Sequence, residues 1–270
     1  MKLSRTTALS SSLLLAGALV LTGAGAAQAD QQAQAVDYVA LGDSYSSGVG
    51  AGSYDSASGN CKRSTRAYPV LWAAKSAPAS FKFAACSGAR TGDVTSGQLG
   101  ALSAATDLVS ITVGGNDAGF ADVMTTCVLQ GESACITRIN KARAYVDTTL
   151  PGQLDTVYRG IRAKAPAARV VVLGYPRFYK IGGSCAVGLS DRSRKAINDA
   201  SDYLNTATAK RAADHGYTFA GVTGTFTGHE ICTTAPWLHS LKLTNIGESY
   251  HPTAAGQSGG YLPVMTSAAQ

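Results

Sequence analysis

The sequence predicts an α/β fold, a three-layer α/β/α sandwich with a central parallel sheet. Three observations lead there. Short β-prone runs alternate with helical patterns along the 270 residues. The strand candidates are continuous apolar runs, as expected of strands covered on both faces. The clearest of them run into glycine-bearing turns. In such sheets ligands bind just beyond the carboxyl ends of the strands.

The elements follow in order. Residues 36–41, "VDYVAL", form a short strand that Gly42 ends. Residues 67–77 read as a helix with Pro69 in its first turn, and 80–85, "SFKFAA", as a second strand. A strand over 107–117, "DLVSITVGGND", ends in glycines. Residues 132–150 have apolar and basic helical faces, and Pro151 breaks that run and opens the next helix over 152–165. Residues 168–176, "ARVVVLGYP", form an unbroken apolar strand. A long helix over 191–216 ends at Gly216, a strand follows over 217–222, and a glycine-rich helix closes the chain from 253.

The N-terminus reads as a secretory signal. Lys2 and Arg5 precede the apolar run 13–21, and Ala27-Gln28-Ala29 fits an A-x-A cleavage pattern. Cleavage is expected after Ala29, with "QQAQA" offering small residues slightly later. That leaves residues 30–270 as one domain of an exported, secreted protein with no transmembrane segment. The formal net charge of +6 falls by two when Lys2 and Arg5 leave. The remaining basic excess is mild. It suits a soluble protein or an anionic envelope surface, and no Lys/Arg cluster interleaved with aromatics points to nucleic acid. A monomer is expected.

Six cysteines in an oxidising compartment predict three disulfides. Cys127–Cys135 closes a short loop, and nesting outward suggests Cys61–Cys86 and Cys185–Cys232. Zinc is disfavoured, because no C-x-x-C pair exists and no histidine neighbours a pair of cysteines.

Ser44 follows the first strand directly. By itself, a serine or aspartate there is a turn former or helix cap. Three other segments give it partners. Gly88 in "ACSGART" could turn its N–H toward a ligand, and Asn116 in "VGGNDAGF" offers an amide donor at a strand end. In "GESYHPTAAG", His251 leads into a helix with Glu248 three residues before it. Of the other three histidines, His215 sits at a helix end, and His229 and His239 lie in loop-like sequence. A serine needs a base to take its proton and donors to hold the oxyanion that forms. These residues supply them: Ser44 as nucleophile, His251 as base, and the Ser44 N–H, Gly88 N–H and Asn116 side chain as oxyanion donors.

These four segments, "GDS" at 42–44, the glycine of "CSGA", "GGND" at 114–117 and the His251 block, resemble in order the blocks of the SGNH (GDSL) hydrolases. The resemblance runs from about Val36 to Ala268 and is to the secreted actinobacterial lipase/esterase branch, some members of which are phospholipases. It implies a flavodoxin-like fold and makes Ser44, Gly88, Asn116 and His251 the matched functional positions. It also implies hydrolysis of acyl esters of lipids through an acyl-enzyme, with no metal or organic cofactor. The expected substrate is a lipid or small ester, met at a membrane or micelle surface. Acetylated polysaccharide, a thioester, and a non-catalytic binding role on the same fold are the alternatives. The pattern departs from the family where D-x-x-H has Glu248 as its acid. His251 is then oriented either by Glu248 or by a backbone carbonyl such as that of Ser249. "GDSYS" is also not G-x-S-x-G, since Ser46 replaces the second glycine, and "GVGAG" lacks the Gly-Lys-Ser/Thr of a P-loop. Tyr45, Tyr54, Phe120, Tyr175, Phe178 and Tyr179 are candidates to line an acyl groove or to fill the core.

Overall fold

The computed structural model describes residues 36–185 and 188–270; the expected signal segment and its cleavage site lie outside the described residues. The apolar run after Val36 forms β1 (Asp37–Gly42), which passes into a one-turn helix, α1 (Ser44–Ser47). There follow α2 (Tyr68–Ser76), β2 (Ser80–Phe83), the short α3 (Thr91–Asp93) and β3 (Leu108–Thr112). Three helices come next: α4 (Phe120–Leu129), α5 (Gly131–Thr148) and α6 (Leu150–Lys164), the last with Pro151 in its first turn. The chain continues through β4 (Arg169–Leu173), α7 (Asp191–Asp214), β5 (Thr218–Ala220) and α8 (Thr223–Phe226). It closes with α9 (Leu262–Ala268).

The five strands are parallel in the order β2-β1-β3-β4-β5. Parallel strands must be joined by crossovers, and helices cover both faces of the sheet: α4 to α7 pack on one another, while α2 packs with α9. Every residue of β3 is buried, and Val170 to Leu173 of β4 are buried as well. The register sets Gly42 opposite Thr112, so the ends of β1 and β3 lie side by side. The predicted three-layer α/β/α architecture is the one observed.

Two expectations about elements need correction. The third predicted strand stops at Thr112 instead of running to 117, because Gly114 turns the chain with φ +111°. Sequence reading also placed no helix between 117 and 131, where α4 lies. That helix starts from Gly119 at φ +80° with no side-chain cap, so the usual Ser/Thr/Asp start signal is missing. The six cysteines pair as Cys61–Cys86, Cys127–Cys135 and Cys185–Cys232, and the second pair fastens α4 to α5.

Candidate active site

Ser44 is the first residue of α1, just past the end of β1. Gly42 makes the corner possible. Its φ is +121°, and a Cβ there would lie 2.5 Å from the Thr112 carbonyl oxygen, so only glycine lets β1 run this close to β3. The Gln98 side chain holds the same residue from both sides: its Oε1 accepts from Gly42 N–H at 2.7 Å and its Nε2 donates to Gly42 O at 2.9 Å. Asp43 then caps the helix, accepting from Tyr45 N–H at 2.9 Å. The Thr112 hydroxyl donates to the same carboxylate at 2.6 Å and Tyr175 to its other oxygen at 2.5 Å. Burial pushes the Asp43 carboxyl up to about 6, against the lowering pull of these three bonds.

His251 comes from the loop before the last helices and reaches the same corner. Its Nε2 is 2.8 Å from Ser44 Oγ, and its Nδ1 is 3.0 Å from the Ser249 carbonyl oxygen. A carbonyl only accepts, so it fixes the tautomer with hydrogen on Nδ1. Nε2 is left free to accept from the serine. The ring is held by its backbone. His239 N–H donates to His251 O at 2.9 Å, and Tyr250 O accepts from the buried Tyr45 hydroxyl at 2.7 Å. Tyr250 itself has φ +66°, a left-handed conformation that costs an aromatic residue about 1–3 kcal/mol and that these contacts must offset.

Of the two ways to orient the imidazole, the carbonyl of Ser249 is the one found, and Glu248 is not in that position. Its carboxylate turns away from the ring, accepting from the Tyr54 hydroxyl at 2.7 Å and pairing with Lys242. Burial works to raise the Glu248 carboxyl, but Lys242 and Tyr54 hold it below the ordinary carboxylate value. The physical reason is competition for the carboxylate: the Lys242 cation and the Tyr54 phenol take its oxygens. Replacing Glu248 with alanine is therefore expected to leave kcat within about fivefold of wild type. It should cost about 1–2 kcal/mol of stability, because buried charge-assisted bonds are lost. Steady-state kinetics beside a denaturant melt checks both; a drop in kcat of several hundredfold would contradict the geometry.

The oxyanion candidates sit on neighbouring loops. Gly88 has φ +79° and open space where a Cβ would stand. Its loop is tied by the Cys61–Cys86 disulfide and by Cys86 N–H donating to Gly42 O. The Asn116 Nδ2 donates to Ala89 O at 3.0 Å, leaving its second hydrogen free. Next to it, Asp117 accepts from the backbone and the hydroxyl of Thr91, so the Gly88 and Asn116 loops are stitched together. The backbone N–H groups of Ser44 and Gly88 bond to no protein acceptor among the described residues. Ser44, Gly88, Asn116 and His251 all border one groove.

Burial, opposed by the Ser249 bond and reinforced by the nearby His239 and Lys62 charges, pushes the His251 pKa down to about 4 from its usual 6.5. The sign follows directly. A base must be neutral to accept a proton, so lowering its pKa extends activity toward acid. The acid limb of kcat/KM on a soluble ester is expected to have an apparent pKa clearly below 6.5. The same shift makes the unfolded chain bind a proton that the folded chain refuses. Stability contributed by neutral His251 is thus lost as pH falls from about 6.5 toward 4. A pH-rate profile with its acid limb at or above 6.5 would contradict this.

A second cavity opens at the same serine. It runs between α4, α5 and α7 past Val123, Met124, Val146, Ile197 and Leu204. Of the aromatic candidates, Tyr45, Phe120, Tyr175 and Phe178 line it. Tyr54 instead holds Glu248, and the Tyr179 ring packs near that of Tyr250. Sequence reasoning missed Gln98, Thr112 and the second duty of Tyr175. The Tyr175 hydroxyl accepts from Gly115 N–H at 3.2 Å while donating to Asp43, so it joins the Asn116 turn to the cap of the Ser44 helix. The remaining histidines stand apart from Ser44: His215 bonds Asp155, and His229 stacks on Trp237 at 3.7 Å. His239 accepts no role on the serine either, its Nε2 lying 2.8 Å from Gly50 O.

A hydroxyl bonded to a neutral imidazole, beside unbonded amide donors and above an apolar cavity, is equipped to attack an ester carbonyl, which is the chemistry of serine ester hydrolases. Comparison with known proteins agrees. Residues 40–258 match the GDSL-like Lipase/Acylhydrolase family. Lipase 1 of Streptomyces coelicolor is 69% identical over 259 residues, covering 96% of each chain. The crystal structure of an extracellular lipase from Streptomyces rimosus superposes with a TM-score of 0.85 at 70% identity, covering 87% of this chain and all of that one. A phospholipase A1 from Streptomyces albidoflavus NA297 gives the same TM-score at 66% identity, covering 86% of this chain and 99% of its own. The chain belongs to the GDSL-like lipase/acylhydrolase family and is a carboxylic ester hydrolase.

Proposed function

We propose that this protein is an exported, monomeric hydrolase of lipid acyl esters that works through a Ser44–His251 dyad, with residues 1–29 as its signal and 30–270 as one domain. Ser44 Oγ attacks the ester carbonyl carbon while its proton passes to His251 Nε2. The imidazolium so formed is stabilised by Nδ1–H donating to the Ser249 carbonyl. The carbonyl oxygen, now negative, is held by the N–H groups of Ser44 and Gly88 and the Asn116 amide. Collapse of this intermediate expels the alcohol, which takes the proton from Nε2 and leaves an acyl ester on Ser44. Water then attacks that ester by the same steps, and the acid is released.

The observation that carries the reading is the 2.8 Å contact between His251 Nε2 and Ser44 Oγ at the mouth of an apolar cavity. Its lining beyond Ser44, with Val123, Met124, Val146, Ile197 and Leu204, is mostly apolar, and an acyl chain laid along it would leave water where an acetyl group would not reach. The cavity therefore favours lipid esters over acetylated sugars. The phospholipase A1 likeness adds the sn-1 ester of a phospholipid as the bond we propose. The test is a parallel measurement of kcat/KM on phosphatidylcholine with distinct sn-1 and sn-2 chains, triacylglycerol, a short p-nitrophenyl ester and acetylated xylan. Release of the sn-1 acid, with long-chain esters preferred, is expected. Predominant activity on acetylated xylan would overturn the proposal.

A further inference from the structure

Donors that must grip one oxygen together sit here at the ends of different strands: the Ser44 N–H after β1 and the Asn116 side chain after β3. The sheet register joins these strands only as far as Gly42 and Thr112. The chain then leaves the sheet at Gly114, and the turn bonds to itself and to the Gly88 loop. Ala118 N–H donates to Gly114 O and Gly119 N–H to Asn116 O, while Asn116 and Asp117 reach Ala89 and Thr91. Among the described residues, no hydrogen bond runs directly from residues 114–119 to residues 43–47. One side chain spans the gap. The buried Tyr175 hydroxyl donates to Asp43, the residue before Ser44, and accepts from the N–H of Gly115, the residue before Asn116.

The bridge is held from behind. Asn205 of α7 takes both backbone groups of Tyr175: its Oδ1 accepts from Tyr175 N–H at 2.8 Å and its Nδ2 donates to Tyr175 O at 2.7 Å. Earlier on the same helix, Ser201 Oγ donates to Pro176 O, and Asn198 accepts from the Phe178 and Tyr179 N–H groups and donates to Tyr179 O. All three α7 side chains are buried. A ring that only packs tolerates small rotations, whereas a hydroxyl bonded on two sides does not. The two ends of the bridge also differ. Asp43 keeps the Thr112 hydroxyl and the Tyr45 N–H without Tyr175. Gly115 N–H has no second protein acceptor among the described residues. A phenol that donates to a carboxylate is polarised, so it accepts more strongly from that N–H.

We propose that Tyr175 is a positioning residue for the hydrolysis: its hydroxyl fixes the Asn116 turn against the Ser44 helix and so sets where the oxyanion donors meet. The inference rests on the proposed oxyanion role of Asn116, and its test separates the two.

Tyr175→Phe keeps the ring in the cavity wall and removes only the hydroxyl. It should lower kcat by at least about fivefold, as a small displacement of reacting groups does, with KM on a long and a short ester within about twofold. In an Asn116→Ala background the same change should cost less than about threefold more, because a donor that is gone cannot be misplaced. Gly115→Ala reads the contact from the other side. A Cβ there would stand 3.2 Å from Tyr175 Cζ and press the turn away from the phenol. It too should lower kcat by at least about fivefold with KM kept. As a control, Tyr217→Phe removes a buried hydroxyl bond to Tyr158 O at the opposite edge of the sheet, and should leave kcat within about twofold. Four results overturn the positioning role. They are a smaller fall in kcat for Tyr175→Phe, a loss carried by KM, a further loss in the Asn116→Ala background as large as the single one, and an equal fall in Tyr217→Phe. If Tyr175→Phe does not fold, Gly115→Ala decides alone, and wild-type kcat in that variant overturns the role. An Asn116→Ala protein as fast as wild type would instead remove the oxyanion assignment, and the role of Tyr175 with it.

Discussion

His251→Ala is expected to lower kcat/KM by ten-thousandfold or more, the scale on which losing one member of a serine–imidazole pair disables the unit. At neutral pH a serine hydroxyl is a poor nucleophile without a base within hydrogen-bond reach. In the proposed dyad the base is His251 Nε2, 2.8 Å from Ser44 Oγ, and no other histidine is placed to substitute: His239 is held on Gly50 O, and His215 and His229 are engaged elsewhere. Ser44→Ala should fall to the same residual rate, and the double variant should be no slower than either single one. Such non-additivity is the signature of two groups acting in one step. Stopped-time assays at high enzyme concentration read these rates. A His251→Ala protein that folds and keeps more than about a hundredth of wild-type activity would contradict the pairing.

Asn116→Ala carries the second largest expected effect, a fall in kcat of about a hundred- to a thousandfold with KM changed little. An oxyanion donor is strongest when the negative charge exists, so its loss shows in the chemical step and not in substrate binding. The Asn116 amide is aimed by one hydrogen bond, to Ala89 O, and its neighbour Asp117 is locked to Thr91. Asn116→Asp is the informative companion. It nearly keeps the shape but replaces the donor with an acceptor, and should be at least as slow. Equal falls in kcat for a long and a short ester would fit a role on the shared carbonyl oxygen. A rise in KM with kcat intact would reassign Asn116 to substrate binding.

Much of this site was legible in the sequence for one physical reason. In a parallel sheet all strands end on one edge, so residues just after strands converge even when far apart in the chain. Ser44 after β1, Gly88 after β2 and Asn116 after β3 could be assembled that way. His251 stood out as the one histidine in a turn entering a helix. What stayed hidden depends on contacts without a local signature. The direction of Glu248 is decided by Tyr54, 194 residues away, and by Lys242. Tyr175 reads in the sequence as a groove aromatic, yet its bond to Asp43 spans 132 residues. α4 lacks a side-chain cap, and with that helix two residues of the cavity wall, Val123 and Met124, stayed hidden. The wide turn at Gly256–Tyr261, which precedes α9, likewise has no sequence signature that separates it from ordinary helix.

The central claim is that Ser44 is the atom-transferring nucleophile and that His251 makes it so. Reaction with a fluorophosphonate ester, followed by intact-mass and peptide analysis, tests this most directly. A single adduct is expected, on Ser44, formed in step with loss of esterase activity and slowed by orders of magnitude in His251→Ala. An adduct on another serine, or full activity in a protein whose Ser44 is blocked, would contradict it.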